Sequence, residues 1–426
     1  MSSSMRLWRA ALVACMVACV ATPSWAQQGA HALTLQQALK RALAANPRLT
    51  AAERDLGIAE GRSLQARAIP NPELSAEGEN AFGSGPYRGT QSLETTLQLS
   101  QLVELGGKRD ARIAAGLAGV DAVAWQRRAT RLEVMSETAV GFIQVLSEQR
   151  RIQILGDHVT ALDRLQPLLQ RRVEAGASSR PEVLRAQVAA DLVRVEREKA
   201  KALLSTARRE LAMLMGDNAP RFSSVSGNLG VIRRPPPFRT IVDAIENNPQ
   251  LVRWTAVWAQ RNAELLSARL KVVPDVRASV GWRRFRETSD NAMVFGLSMT
   301  LPLWDQNQGD ILAARESRDK VQAERAINKL ALLSIAGRAY DTATSAVQEI
   351  ELLRNAVLPN ARDAARGLEE GYGQGRYTLL ELLDVQAALT EAALREQDAL
   401  RSFHIAVATI EGLVGRPFAL AQGGRR

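Results

Sequence analysis

Met293-Val294-Phe295-Gly296-Leu297-Ser298-Met299-Thr300-Leu301 places bulky apolar residues at every odd position and Val, Gly, Ser and Thr between them. Successive side chains on a strand point to opposite faces, so such a run has one greasy face and one of small or polar groups. About ten residues of this alternation is what the wall of a membrane β-barrel needs, with lipid outside and water within. An earlier run matches it: Leu93, Thr95, Leu97 and Leu99 alternate with Ser92, Glu94, Thr96, Gln98 and Ser100. Leu93, Leu97, Leu99, Phe295, Leu297 and Met299 are therefore the candidate lipid-facing residues. The runs before them, 73–79 and 275–284, alternate less cleanly. Taken alone, the four runs fit half-buried hairpins of a soluble protein equally well.

Four strands cannot close a barrel, because open edges in lipid leave backbone groups unpaired. Four strands from each of three copies give twelve, within the range of outer-membrane barrels. Strands in the membrane thus imply a homotrimer.

The chain repeats itself. Asn46-Pro47-Arg48-Leu49 returns as Asn248-Pro249-Gln250-Leu251, and at the same offset Ala66-Arg67 meets Ala268-Arg269 and Pro72-Glu73 meets Pro274-Asp275. Gly176, Gln187 and Gly216 meet Gly375, Gln386 and Gly415 at an offset of 199. A stretch rich in Pro, Ser and Gly, 217–238, joins the copies and carries Pro235-Pro236-Pro237. The expected organisation is a leader over 1–26, a first repeat over 27–216, the 217–238 linker, a second repeat over 239–416 and a tail over 417–426. Each repeat begins with a helix, 34–68 or 239–271, which prolines stop. Two strands follow, then a long helix to a glycine turn, then a second helix.

The long helices are unusual. Residues 107–175 contain one proline, Pro167, and 310–370 contain one, Pro359. At 1.5 Å per residue each reaches roughly 90–100 Å. Along 379–414 apolar residues recur in heptad steps, Leu382, Leu389, Phe403 and Ile410 on one seam and Leu400, Val407 and Val414 on the other, interrupted by Gln386 and Glu396. That is helix-on-helix packing. Composition agrees: 46% hydrophobic but only 4% aromatic, a mix that favours long helices over a sandwich or an α/β enzyme. The fold class is mainly α with a small β part.

The start reads as an export signal. Arg6 and Arg9 precede the apolar run 10–20, and Ser24-Trp25-Ala26 supplies small residues for cleavage before Gln27. Cys15 and Cys19, the only cysteines, lie inside it. Leu12-Val13-Ala14-Cys15 is a competing lipoprotein box, with a shorter apolar run than such boxes need. Losing 1–26 removes two arginines and no acids, taking the formal charge from +10 to +8. Export and acids interspersed among the bases, as in 194–199, argue against nucleic acid and for solvated helix faces. No later apolar run reaches the 18 or so residues of a membrane helix.

In this order of elements the chain resembles the TolC-like outer membrane factors of tripartite efflux pumps. Gln101-Leu102-Val103-Glu104-Leu105-Gly106-Gly107-Lys108-Arg109 is similar to the strand-to-helix junction of their CzcC-like, heavy-metal branch. The resemblance covers the mature chain. It implies duplicated α-helical hairpins that form a trimeric α-barrel in the periplasm, below a shared 12-stranded β-barrel in the outer membrane. It implies a periplasmic adaptor and an inner-membrane RND pump as partners. Adaptor docking would fall on the hairpin tips, Gly176 and Ala177 in the first and Tyr372, Gly373, Gly375 and Arg376 in the second. Tyr372 matches a position that tethers neighbouring helices, whereas Tyr377 stands where the family often has arginine. Glu381 and Asp384, with Glu182 at the matching point of the first hairpin, would form the pore constriction. Three copies focus negative potential there and favour cations, and the apparent pKa values of such a ring rise. Acids also prefer the first turn of any helix.

No HExxH, Walker loop, GxSxG or CxxC appears, and His31, His158 and His404 are scattered. The expectation is a passive duct with no catalytic residue, no cofactor and no metal site of its own. Its cargo is heavy-metal cations such as cobalt, zinc, cadmium or copper. Drugs, a type I secreted protein, or a periplasmic coiled-coil scaffold without a barrel remain the alternatives.

Overall fold

The computed structural model describes residues 32–415. The leader with Cys15 and Cys19, His31, and the 417–426 tail lie outside them. Helices dominate. A short strand β1 (Leu33–Thr34) leads into α1 (Leu35–Ala45) and α2 (Pro47–Ala66), then strands β2 (Glu73–Glu79) and β3 (Glu94–Val103). Helix α3 (Lys108–Glu174) turns into α4 (Arg180–Leu214). After β4 (Val225–Ser226) the order returns as α5 (Phe238–Ile245), α6 (Pro249–Leu270), β5 (Val276–Phe285), β6 (Asn291–Met299), α7 (Gln308–Leu352), α8 (Leu358–Gly373) and α9 (Leu379–Val414). Among the described residues no helix is long and apolar enough to cross a membrane.

The duplicated Asn-Pro pairs have a physical reason, and it corrects the single lead-in helix expected over 34–68 and 239–271. Proline at the first position of a helix is tolerated, since its missing N–H has no partner there anyway. The chain therefore breaks at the residue before it. Asn46 caps α2 by accepting from Arg48 N–H at 2.9 Å, and its amide donates to Leu214 O at 2.8 Å. Asn248 does the same to Gln250 N–H and Leu413 O, each at 2.7 Å. Both asparagines are buried. Each pair therefore starts one helix and stitches it to the end of another that is 165 or more residues away. Gly216 closes the first of these joints. It holds φ +80°, and a Cβ there would fall 2.3 Å from Ala45 O.

Helix α3 runs 67 residues, about 100 Å. Its counterpart is not one regular helix. Leu353–Val357 winds as a π turn between α7 and α8, just ahead of Pro359. A proline cannot donate to the carbonyl four residues back, and a π turn re-satisfies the freed groups. Arg354 in this turn donates to Gly230 O at 3.0 Å and pairs with Glu396 at 2.5 Å. That gives Glu396, the acid interrupting the α9 heptads, its partner.

The main core sits at mid-length, where α1, α3, α5, α7 and α9 meet around Phe142, Ile143, Ile241, Ile350 and Phe403. The 217–238 stretch wraps this level. Its β4 pairs in parallel with β1, Gln149 brackets Val225 with two bonds of 2.8 and 2.9 Å, and Leu229 O meets His404 Nε2 at 2.8 Å. His158 and His404 are both buried, and burial pushes both imidazoles below their ordinary range.

The four remaining strands make one antiparallel sheet in the order β2-β3-β5-β6. Its central ladder joins the two halves of the chain, Leu97 facing Trp282 and Leu99 facing Val280. Strands β2 and β6 are its edges, each paired on one side.

Candidate channel wall and entrance

The sheet has two unlike faces, and the register fixes which residue lies on which. On one face the cross-strand rows read Leu74-Leu99-Val280-Phe295, Ala76-Leu97-Trp282-Met293, and Val103-Val276-Met299. Leu297 lies between Phe295 and Met299, in the row Gln101-Ala278-Leu297, whose one polar member is Gln101. These side chains are exposed, Phe295 at 75% and Leu297 at 73%. A contiguous apolar surface of this kind marks contact with something other than water. Leu97, Leu99, Phe295, Leu297 and Met299 thus share one face. Leu93 lies just before β3, outside the ladder, but on the same side: a Cβ built on Gly78, which shares the face of Leu74 and Ala76, would meet Leu93 Cδ1 at 3.7 Å.

The opposite face is polar and cross-linked. Arg277 pairs with Glu73, and Arg283 bridges Glu79 at 3.1 Å and Glu94 at 3.2 Å. Gln98 donates to Ser279 Oγ at 2.5 Å. Gly281 and Gly296 lie on this face. A Cβ at Gly281 would meet Leu97 O at 2.9 Å, and one at Gly296 would meet Ser279 Oγ at 2.6 Å.

At the far end of the long helices both tips close in the same way. Gly176 at φ +72° receives the αL position; its N–H donates to Val173 O at 3.0 Å and Ala177 N–H to Arg172 O at 2.8 Å. Gly375 at φ +75° repeats this, with its own N–H to Tyr372 O at 3.0 Å and Arg376 N–H to Gly371 O at 2.9 Å. This pairing of bonds around a left-handed glycine satisfies the last carbonyls of a helix. Gly373 ends α8 and is exposed, as is the Arg376 side chain. Gly371, which no local pattern singles out, has the Tyr377 ring against it; a Cβ there would lie 2.4 Å from Tyr377 Cδ2.

Tyr372 is only 2% exposed and joins the two tips. Arg172 supplies the link. Its Nη1 donates to Tyr372 O at 2.7 Å, and its guanidinium stacks 4.8 Å from the Tyr372 ring. Arg172 is thus the arginine that meets Tyr372, while Arg376 stays exposed at the tip. Its partner is 200 residues away, which no local pattern announces. Burial pushes the Tyr372 phenol up, and the Glu182 charge adds to this.

The three acids do not share one environment. Glu381 is the third residue of α9 and forms a capping box with Thr378: its carboxylate accepts from Thr378 N–H at 2.8 Å and Thr378 Oγ1 at 2.9 Å. Within one chain these bonds hold its carboxyl below the usual range, opposite in direction to the rise expected of a ring. Asp384, one turn on, is exposed and has no partner among the described residues. Glu182 accepts from Ser178 Oγ in the first hairpin. Among the described residues no group of three or more acids, histidines or cysteines could hold a metal ion.

A family model described as outer membrane efflux protein matches residues 38–217 and 240–416. The chain is 30% identical over 394 residues to the cobalt-zinc-cadmium resistance protein CzcC of Cupriavidus metallidurans, covering 92% of this chain and 93% of that protein. It is 24% identical over 296 residues to the nickel-cobalt-cadmium resistance protein NccC of Alcaligenes xylosoxydans xylosoxydans, covering 70% and 67%. Among solved structures, a membrane protein from Pseudomonas aeruginosa superposes with a TM-score of 0.78 at 20% identity, over 89% of this chain and 92% of that one.

Proposed function

The chain belongs to the outer membrane efflux protein family, whose channels are trimeric, and from that premise we propose that it is the exit duct of a tripartite efflux system for heavy-metal cations. The observation that carries this is the sheet: one apolar face, one charged face, and two edges left open in a single chain. Edge groups must be paired in lipid. Three copies joined β2 to β6 satisfy them and give twelve strands. The apolar face, with Leu97, Leu99, Phe295, Leu297 and Met299, then meets lipid, and the Glu–Arg face lines water. The long helices extend as a tube into the periplasm. Their tips, Gly176 and Ala177 with Tyr372, Gly373, Gly375 and Arg376, meet a periplasmic adaptor, which couples the tube to an inner-membrane RND pump.

Metal cargo is supported by the resistances for which the two relatives are named. Deleting the chain is expected to sensitise its host to cobalt, zinc and cadmium while leaving tolerance of organic drugs unchanged. Sensitisation to drugs alone, or a secretion defect alone, would assign the duct to one of those cargoes instead. Recovery of the protein from the periplasm rather than the outer membrane would favour a coiled-coil scaffold.

The constriction is assigned to Asp384, Glu381 and Glu182. Three copies of the α9 pair place six carboxylates near one axis, in a narrow passage that strengthens their field. Glu381→Gln keeps a side chain able to complete the capping box but removes the charge. Combined with Asp384→Asn, it is expected to weaken block by a trivalent cation at least about ten-fold in planar-bilayer recordings, with the ion added on the helical side. Ten-fold corresponds to about 1.4 kcal/mol, a modest demand on six charges. Unchanged block and selectivity would return both acids to the role of helix-start residues.

A further inference from the structure

One acid in the mid-length core has no counter-charge. Glu148 on α3 is 9% exposed, and its Oε2 is wholly buried without a hydrogen-bond partner among the described residues. An ionised carboxylate cut off from water is costly, and a group so placed keeps its proton instead. Burial pushes the Glu148 carboxyl up, Arg151 and Arg401 pull it down, and Asp398 pushes it up. That oxygen is enclosed within a single chain, so an adjoining copy cannot supply the missing partner.

Two arginines stand near Glu148, yet neither pairs with it. Arg151, one turn on along α3, reaches across to Asp398 of α9 at 3.5 Å. Arg401, one turn on along α9, pairs with the same Asp398 at 3.3 Å. One aspartate thus holds both arginines and the neighbouring acid is left alone. The Asp398 side chain is 43% exposed, so it bears little of the desolvation that burdens Glu148 and is the acid that stays ionised.

The four groups sit on a seam. Ser147 and Gln397, both buried, join α3 to α9 by a bond of 3.2 Å. Gln149 ties the same turn of α3 to Val225 of the 217–238 stretch. Leu146 and Leu400 on either side belong to the main core. Glu396, the next acid on α9, is already engaged by Arg354. An arginine drawn to Glu148 must therefore leave Asp398 and move in beside the Ser147–Gln397 bond.

We infer that Glu148, Arg151, Asp398 and Arg401 form a proton-sensitive latch between α3 and α9. With its proton, Glu148 leaves both arginines to Asp398 and the seam is closed. When the proton passes to solvent, the new charge draws an arginine from Asp398 and the seam loosens. The sign follows from burial: the closed seam holds the proton more tightly than a loosened one, so it is firmest in acid and weakens as pH rises through the Glu148 titration. The acidity of the surrounding solution then sets how firmly α9 is held to α3.

The test takes the full chain, purified in detergent as it assembles, and records infrared spectra across pH with Glu148→Gln as the reference. At about pH 6, where an exposed glutamate is ionised, the difference is expected to contain a protonated-carboxyl stretch that disappears at higher pH. Asp398→Asn removes a like charge and frees both arginines, so the stretch is expected to disappear at a pH lower by at least about one unit. A Glu148 that titrates in the ordinary carboxylate range, or a titration that Asp398→Asn does not move, overturns the latch. Hydrogen exchange reads the seam itself. Corrected for intrinsic rate, protection over 394–404 is expected to fall as pH rises in the unaltered chain and to stay constant in Glu148→Gln, which keeps the shape of the protonated acid. Equal falls in both would overturn it as well. Should Glu148→Gln not assemble, the unaltered chain and Asp398→Asn, each carrying isotope-labelled glutamate carboxyls, still give the titration and its shift; absence of that shift is decisive against the latch.

Discussion

Leu297→Arg is expected to abolish recovery of trimer from the outer membrane. Leu297 is 73% exposed in the single chain, so the loss cannot come from repacking a protein core. It comes from placing a guanidinium in hydrocarbon, which costs about 2–4 kcal/mol per site near the midplane of a barrel. Each trimer carries three such sites. Ser75→Arg supplies the contrast. Ser75 lies on the opposite face, in the row Ser75-Gln98-Gly281-Val294, with Glu73 and Glu77 two residues away on its own strand. An arginine there meets acids and water, and trimer yield is expected to stay near normal. Equal yields for both variants would mean that the apolar face does not contact lipid.

Gly216→Ala is expected to have the next largest effect. A non-glycine residue at φ +80° is strained by about 1–2 kcal/mol. The new methyl would also fall 2.3 Å from Ala45 O and 2.8 Å from its carbon. Moving that backbone adds about 1–3 kcal/mol and disturbs the Asn46–Leu214 bond beside it. Gly415, the matching residue of the second repeat, is the control. Its φ is +66°, but the nearest atom to a Cβ is Leu132 Cδ1 at 3.8 Å, so Gly415→Ala carries the strain without the collision. The temperature at which trimers dissociate should fall clearly further for Gly216→Ala. Equal falls would show that the approach to Ala45 contributes nothing.

The sequence revealed those features whose cause is local or periodic. The strand alternation in 293–301 survives as the apolar face because the register of an antiparallel ladder carries the period of two from strand to strand. The Asn-Pro pairs stood out as repeats because a buried asparagine that caps one helix and bonds another has few substitutes. Other features carry a local signal that admits more than one reading. Thr378-x-x-Glu381 is the capping-box pattern as well as the start of the proposed constriction, and the pattern by itself does not separate the two roles. Pro359 was visible, but a helix was carried through it, and the π turn ahead of it followed from the missing N–H. What no local pattern gave was contact across the repeat. Arg172 is one arginine among many on α3. Only the small core where the two tips meet, with Leu165, Leu169, Leu379 and Leu382, sets it over the Tyr372 ring.

The ladder between β3 and β5 has a consequence in time as well as in space. Leu97 meets Trp282 only after the whole of α3, α4 and the belt around the core has been threaded between them. Pairings separated by that much chain form late, because the loop must close before any contact compensates. A chain that crosses the inner membrane N-terminus first therefore delivers β2 and β3 to the periplasm as a lone ribbon, well before β5 and β6 arrive. Two strands are marginal by themselves in water, and bare edges invite the wrong neighbour. The organisation that gives three chains one wall thus obliges each nascent chain to pass through a stage in which half a sheet must be sheltered.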